Sequence, residues 1–98
     1  MPLTRVWGRS WIINMITTAI VTAYCLLGTM ASGNQVYDGA VACPRAIPLG
    51  TKVCIEHKLY VCEDRTAKKY DGRYDIWMSS CDKAVQWGKR KLEVIIIK

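Results

Sequence analysis

Apolar positions in this chain fall in short, β-branched runs separated by Gly, Pro, Asn and Asp. Residues 16–22 (ITTAIVT) are dominated by Ile, Thr and Val, which favours an extended strand. Residues 26–44 are rich in Gly, Ser, Asn and Asp and read as loop. IPLGT, residues 47–51, makes a tight corner, with Pro48 restricting the backbone and Gly50 permitting unusual dihedrals. TKVCIE and LYVCED then alternate around a His57-Lys58 turn, a hairpin. RYDIWM, residues 73–78, is a further strand, with Tyr74 and Ile76 on one side and Asp75 and Trp77 on the other. Ser79 reads as a helix N-cap with Asp82 three residues on, and SCDKAVQW as a one- or two-turn helix closed by Gly88. KLEVIIIK closes the chain as a central, almost continuously apolar strand. Several short strands, one short helix and Pro/Gly corners predict a small β-barrel, whose closure removes exposed strand edges.

The hairpin register is left open by this pattern. A three-residue loop sets Cys54 opposite Cys62, where a bridge could form, and Lys52 opposite Asp64. A two-residue loop sets Val53 opposite Cys62 instead. The N-terminal stretch also reads in two ways. Arg5 and Arg9 before the apolar run from Trp11 to Val21, with Val21-Thr22-Ala23 as a small-residue site, follow the grammar of a secretory signal. Asn14 and three threonines dilute the run, and cleavage after Ala23 would remove most of the strand. The division expected is an extension or degenerate signal-like first strand over 1–21 and a barrel domain over 22–98. The run is too short and polar for a membrane span.

Ninety-eight residues set the scale of one domain with a modest core. The formal charge of +6 suits an anionic partner. Its basic residues are scattered and do not interleave with aromatics in a nucleic-acid motif, so no nucleic acid is expected. The five cysteines contain no CxxC, and His57 is the single histidine, so no zinc pattern exists and no metal is expected. An odd count leaves at least one thiol free or paired between chains.

Candidate chemistry centres on CEDRTAKKYDGRYDIW, residues 62–77. Asp64 and Asp75, eleven positions apart at the ends of two strands, are joined by a polar turn-forming loop and flanked by Arg65 and Arg73. Such a loop can bring both acids into one cleft, and carboxylates beside cations suit general acid/base work. The same spacing fits strand-edge residues in surface ion pairs.

The segments TAYC, TMASG, VACPRAIPLGT, CEDR, YDGRYDIW and AVQWG, in this order from Thr22 to Ile97, resemble the 3D (three-aspartate) domain family, in the variant associated with bacteriophages and prophages. The resemblance implies a six-stranded double-psi β-barrel related to the catalytic domain of membrane-bound lytic murein transglycosylase A. It also implies cleavage of peptidoglycan between N-acetylmuramic acid and N-acetylglucosamine with closure of a 1,6-anhydro ring, or glycan binding on the same barrel without cleavage. By position, the family's second and third aspartates fall on Asp64 and Asp75. Asp75, among apolar neighbours, is expected to be the acid/base, with Asp64 tuning it or positioning sugar. Tyr24, Ser32, Gly33, Thr51 and Arg65 fall on substrate-binding segments. The family's first aspartate corresponds to Cys43, which could pair with another cysteine and staple the site. The expected partner is a peptidoglycan strand, the expected setting the cell wall or extracellular space, reached by phage delivery or lysis. The expected state is a monomer without cofactor.

Overall fold

A computed structural model describes residues 14–97 of the chain. The β-branched run becomes its longest strand, β1 (Asn14–Tyr24), followed by β2 (Ala40–Cys43), β3 (Lys52–Ile55), β4 (Lys58–Arg65), β5 (Tyr74–Trp77) and β6 (Arg90–Ile97). A helix, α1 (Cys81–Trp87), joins the last two strands, and a single 3-10 turn (Lys68–Tyr70) lies between β4 and β5. The strands close into a barrel in the order β1-β5-β2-β4-β3-β6. Two neighbouring pairs are parallel, β1 with β5 and β2 with β4; the others are antiparallel. The small, mainly β barrel with one short helix that the sequence predicts is therefore the fold.

The barrel is filled by the inward half of each strand's alternation. Val21, Val41, Val53, Ile55, Ile76 and Val94 are fully buried there with Tyr60 and Tyr74. Each such aliphatic side chain contributes about 1.5–3 kcal/mol by leaving water. In β6 the apolar run resolves into alternation, with Val94 and Ile96 buried and Ile95 and Ile97 only partly so. β6 pairs with both β1 and β3, so neither of its edges is left open.

Three expectations need correction. The segment read wholly as loop contains β2, whose four residues are all buried. It is too short to show a period, and its Gly-rich flanks hide it. The helix is capped by Ser80, not Ser79: its hydroxyl accepts from the Lys83 amide at 3.2 Å, and Asp82 sits in the first turn rather than at the box position. The hairpin loop is Glu56-His57, with Ile55 opposite Lys58 and Cys54 opposite Leu59. Both loop residues have positive φ (51° and 66°), as a two-residue primed turn demands. Neither is Gly or Asn, so local composition gave no sign of it.

That register excludes a Cys54–Cys62 bridge, and Cys54 is a free thiol. The bridges are Cys43–Cys62, which staples β2 to β4 inside the core, and Cys25–Cys81, which ties the end of β1 to the start of α1. Trp87 reinforces the second junction by donating its indole N–H to the Val21 carbonyl at 3.1 Å. β1 runs unbroken across the boundary expected at residue 22. Arg5, Arg9 and Trp11, on which the signal reading rests, lie outside the described residues. Among the described residues no helix is long and apolar enough to cross a membrane.

A left-handed backbone costs a non-glycine residue about 1 kcal/mol. His57→Gly is therefore expected to raise unfolding stability by about 1 kcal/mol, read as a higher urea midpoint at unchanged slope. A lower midpoint would mean that the turn does not sit at Glu56-His57.

Candidate functional site: an acidic row on the outer face

Residues directly opposite on neighbouring strands point to the same face of a sheet. Thr22 lies opposite Asp75, Asp75 opposite Ala42, and Ala42 opposite Asp64. A single row thus crosses four strands, β1-β5-β2-β4, with two carboxylates separated by one small residue. Two strand spacings put their backbones about 10 Å apart. The row faces outward, since Val21, Val41 and Ile76, the next positions along three of these strands, fill the interior.

Asp64 reaches this face because β4 is irregular. Val41 pairs with Cys62, yet Ala42 pairs with Asp64, so Glu63 is an extra residue. Without the bulge, strict alternation from the inward Cys62 would turn Asp64 inward as well. Glu63 is only 8% exposed. It accepts hydrogen bonds from the Tyr37 hydroxyl and from Asn34 Nδ2 (3.0 Å). The Tyr37 hydroxyl and then Ser32 hold the Glu63 carboxylate below the usual range, against burial, with Asn34 adding to them. Tyr37 is pushed up to about 12 by burial and by that same bond.

The loop held by Glu63 closes one side of the acidic row. Asp64 accepts from the Ala31 amide (3.1 Å), from the Arg65 amide (2.9 Å) and, more distantly, from the Tyr24 hydroxyl (3.4 Å). The Ser32 amide donates to the Glu63 carbonyl and the Gly33 amide to the Met30 carbonyl, each at 2.9 Å. Gly33 takes φ of 97°, which glycine adopts without strain. Tyr24 packs against Met30, Ala40 and Trp77, a small apolar cluster outside the barrel. Burial, with the charges of Asp64 and Asp75, raises the Tyr24 phenol far above its ordinary value, so it remains a neutral donor.

Asp75 is the less saturated acid. It accepts from the Thr22 hydroxyl at 2.9 Å and borders a pocket of about 400 Å³ with Thr22, Ala23, Thr66, Ala67, Tyr70 and Arg73. Burial raises its carboxyl above the ordinary value, the Thr22 bond works against that, and the Asp64 charge pushes it further up. A half-buried acid whose proton is held by its surroundings, beside a pocket of ligand size, can act as a proton donor and then as a base.

Of the residues singled out in the sequence, Asp64, Asp75, Tyr24 and the Ser32-Gly33 loop gather along the row, and of these it is Asp75 that lines the pocket. Two others do not. Arg65 turns its guanidinium to the carbonyls of Pro44 and Ile47. Thr51 lines a separate, mainly apolar pocket with Met15, Ile47 and Ile96, and no acid of the row borders it. Cys43 is buried in its bridge to Cys62, which removes it both as a nucleophile and as a member of the row. Thr22, Glu63, Thr66 and Tyr70 join the site unforeseen. Thr22 is brought in by a parallel pairing across 53 residues, which no local pattern carries. Among the described residues no group of three His, Cys, Asp or Glu side chains could hold a metal.

Because folding raises the Asp75 pKa, the fold favours its protonated form. That preference is present at low pH and is lost as pH rises from 3.8 through the raised value. Asp75→Asn is therefore expected to raise the melting temperature at pH 7, with the gain vanishing below pH 3.8. Melting curves across pH check it; a constant difference would contradict the raised value. Models of known protein families give no match to this chain, and no curated protein sequence matches it.

Proposed function

We propose that this chain is a lytic murein transglycosylase of the 3D (three-aspartate) type, cleaving the bond between N-acetylmuramic acid and N-acetylglucosamine. The observation that carries this reading is the outward row Asp75-Ala42-Asp64, with Asp75 half-buried, raised in pKa and bordering the pocket. Two parallel strand pairs among antiparallel neighbours support the double-psi form of the barrel.

Asp75 donates its proton to the glycosidic oxygen, and the N-acetylglucosamine side leaves as an alcohol. The muramic C6 hydroxyl attacks C1 of the same sugar, closing the 1,6-anhydro ring. The Asp75 carboxylate takes the C6 proton and is restored, so no water is consumed. Burial, and after it the Asp64 charge, favour the protonated Asp75 before the step, and the Thr22 hydroxyl stabilises the carboxylate during it. Tyr24 and the Ser32-Gly33 loop hold sugar hydroxyls. The two bridges suit an oxidising compartment, in keeping with action at the cell wall or outside the cell after phage delivery or lysis.

Glycan binding without cleavage is a second reading. Cys43, locked in its bridge where the family carries its first aspartate, is the observation that favours it. Purified cell walls separate the two. The enzyme is expected to release 1,6-anhydro-muropeptides, detected by mass spectrometry, and Asp75→Asn to reduce release by about 10²–10⁴-fold. Asp64→Asn is expected to lower release less and to move the alkaline limb of the pH profile, where Asp75 loses its proton, downward. Retention on walls with no soluble product would select the binding module, and an active Asp75→Asn would refute the assigned acid.

A further inference from the structure

The side of the barrel away from the acidic row carries a different pattern. β3 stands three places from β5 in the six-strand circle, so it forms the crest farthest from Asp75. Across this crest Leu59 of β4 lies opposite Cys54, and Cys54 lies opposite Ile95 of β6. The row faces outward, because Val53, Ile55, Tyr60, Val94 and Ile96, the positions beside it in each strand, fill the core. Leu59 is 52% exposed, and Cys54 and Ile95 are only partly covered. In the next outward row Val61 and Ile97 lie on either side of Lys52 and extend the apolar surface. The result is an apolar crest with a free thiol at its centre.

Charge is divided between the two ends of this crest. Lys52 precedes Cys54 by two positions, and Glu56 follows it by two. Glu93 stands at the Glu56 end: Cys54, Ile95 and both glutamates border a shallow pocket of about 300 Å³, which His57 and Lys91 also border. Glu56 pairs with Arg90 at 3.4 Å, both side chains being exposed. Among the described residues Lys52 and Glu93 have no ion-pair partner. A two-fold axis along the row Leu59-Cys54-Ile95 reverses the strand direction in a second copy. It brings Lys52 of each copy to the glutamate end of the other, at the mouth of that pocket. An axis along the strands sets Lys52 against Lys52 and Glu56 against Glu56. Charge selects the first arrangement.

In that arrangement Cys54 meets Cys54. A disulfide needs Cα atoms about 5.5 Å apart, closer than the roughly 10 Å between flat packed sheets. The curvature of the barrel supplies the difference. Six strands about 4.8 Å apart close so tightly that β4 and β6 fall about 3 Å below the crest. Leu59 and Ile95 then face their own copies across about 12 Å, close to the spacing that packed side chains fill.

We propose that this crest docks a second copy of the chain and that a Cys54–Cys54 disulfide seals the pair, in place of the monomer expected from the sequence. The three strands offer a footprint of about 250 Å², well short of the roughly 800 Å² per partner of a standard interface. Docking alone is therefore weak, and the bridge makes it durable. The oxidant is a low-molecular-weight disulfide. One Cys54 thiolate opens the S–S bond of the reagent and releases a first small thiol. The Cys54 thiolate of the second copy attacks the protein sulfur of that mixed disulfide and releases the other. Two electrons pass to the reagent, and the two cysteine protons end on the small thiols. The inference stands apart from the glycan reading, since the crest faces away from Asp75 and both Asp75 pockets stay open.

Oxidation of the full chain with glutathione disulfide tests it, followed by light scattering and by peptide mapping without reduction. The expected product has twice the chain mass and one new bridge, Cys54–Cys54, and a thiol reductant returns it to monomer. Cys54→Ser is expected to stay monomeric. Lys52→Glu alone, and Glu56→Lys with Glu93→Lys in one chain, are each expected to slow dimer formation about tenfold. Mixed together, these two variants are expected to form the heterodimer at nearly the original rate, because every facing pair is again of opposite charge. Oxidation that stops at a Cys54–glutathione monomer refutes the proposal. Homodimers and heterodimers of the two variants in statistical proportion refute the docked arrangement, since chance encounter of thiols is blind to these charges.

Discussion

One inserted residue governs the arrangement of this surface. The bulge at Glu63 shifts β4 by a single position against β2, and with it the phase of every side chain that follows. Up to Cys62 the strand's inward positions feed the core; past the bulge Asp64 stands on the row shared with Asp75. A regular strand of the same composition would bury Asp64 against the Cys43–Cys62 bridge, at a desolvation cost of several kcal/mol. The displaced residue is itself employed: Glu63 anchors the loop whose Ala31 amide completes the shell around Asp64. The irregularity aims one acid and fastens the segment that covers it.

The two acids differ because their surroundings differ, not because of their chemistry. Asp64 is met by two backbone amides and a phenol, three hydrogen-bond donors. Asp75 has one hydroxyl donor, more apolar cover and a charged neighbour across Ala42. Burial first, and then the charge of Asp64, make Asp75 hold its proton more readily than a free carboxyl would.

The strands that build the barrel were largely legible because each carries its own β-branched or alternating signature, and the helix because Gly88 and the Trp87 turn mark its end. What escaped depends on pairing between distant segments. β2 is four residues long and has no periodicity to show. The Glu56-His57 turn uses two residues that rarely adopt positive φ, so the local composition pointed one residue downstream, to His57-Lys58, and the register moved with it. Cysteine pairing follows register, which is why the local pattern leaves a Cys54–Cys62 bridge open and carries no sign of Cys25–Cys81. The convergence of Asp64 and Asp75 could be argued from loop length, but the means of it could not. A loop argument brings chain ends together; it does not say which way their side chains face.

The spacing of the acids is therefore written into the backbone ladder and not into the segment that connects them. Residues 66–73 can lengthen, shorten or exchange side chains without altering how far apart the Asp64 and Asp75 backbones stand, because Ala42 sets that interval from a different part of the chain. The pocket wall that this segment supplies, Thr66, Ala67, Tyr70 and Arg73, can thus be rebuilt while Asp75 and Asp64 keep their places on the ladder.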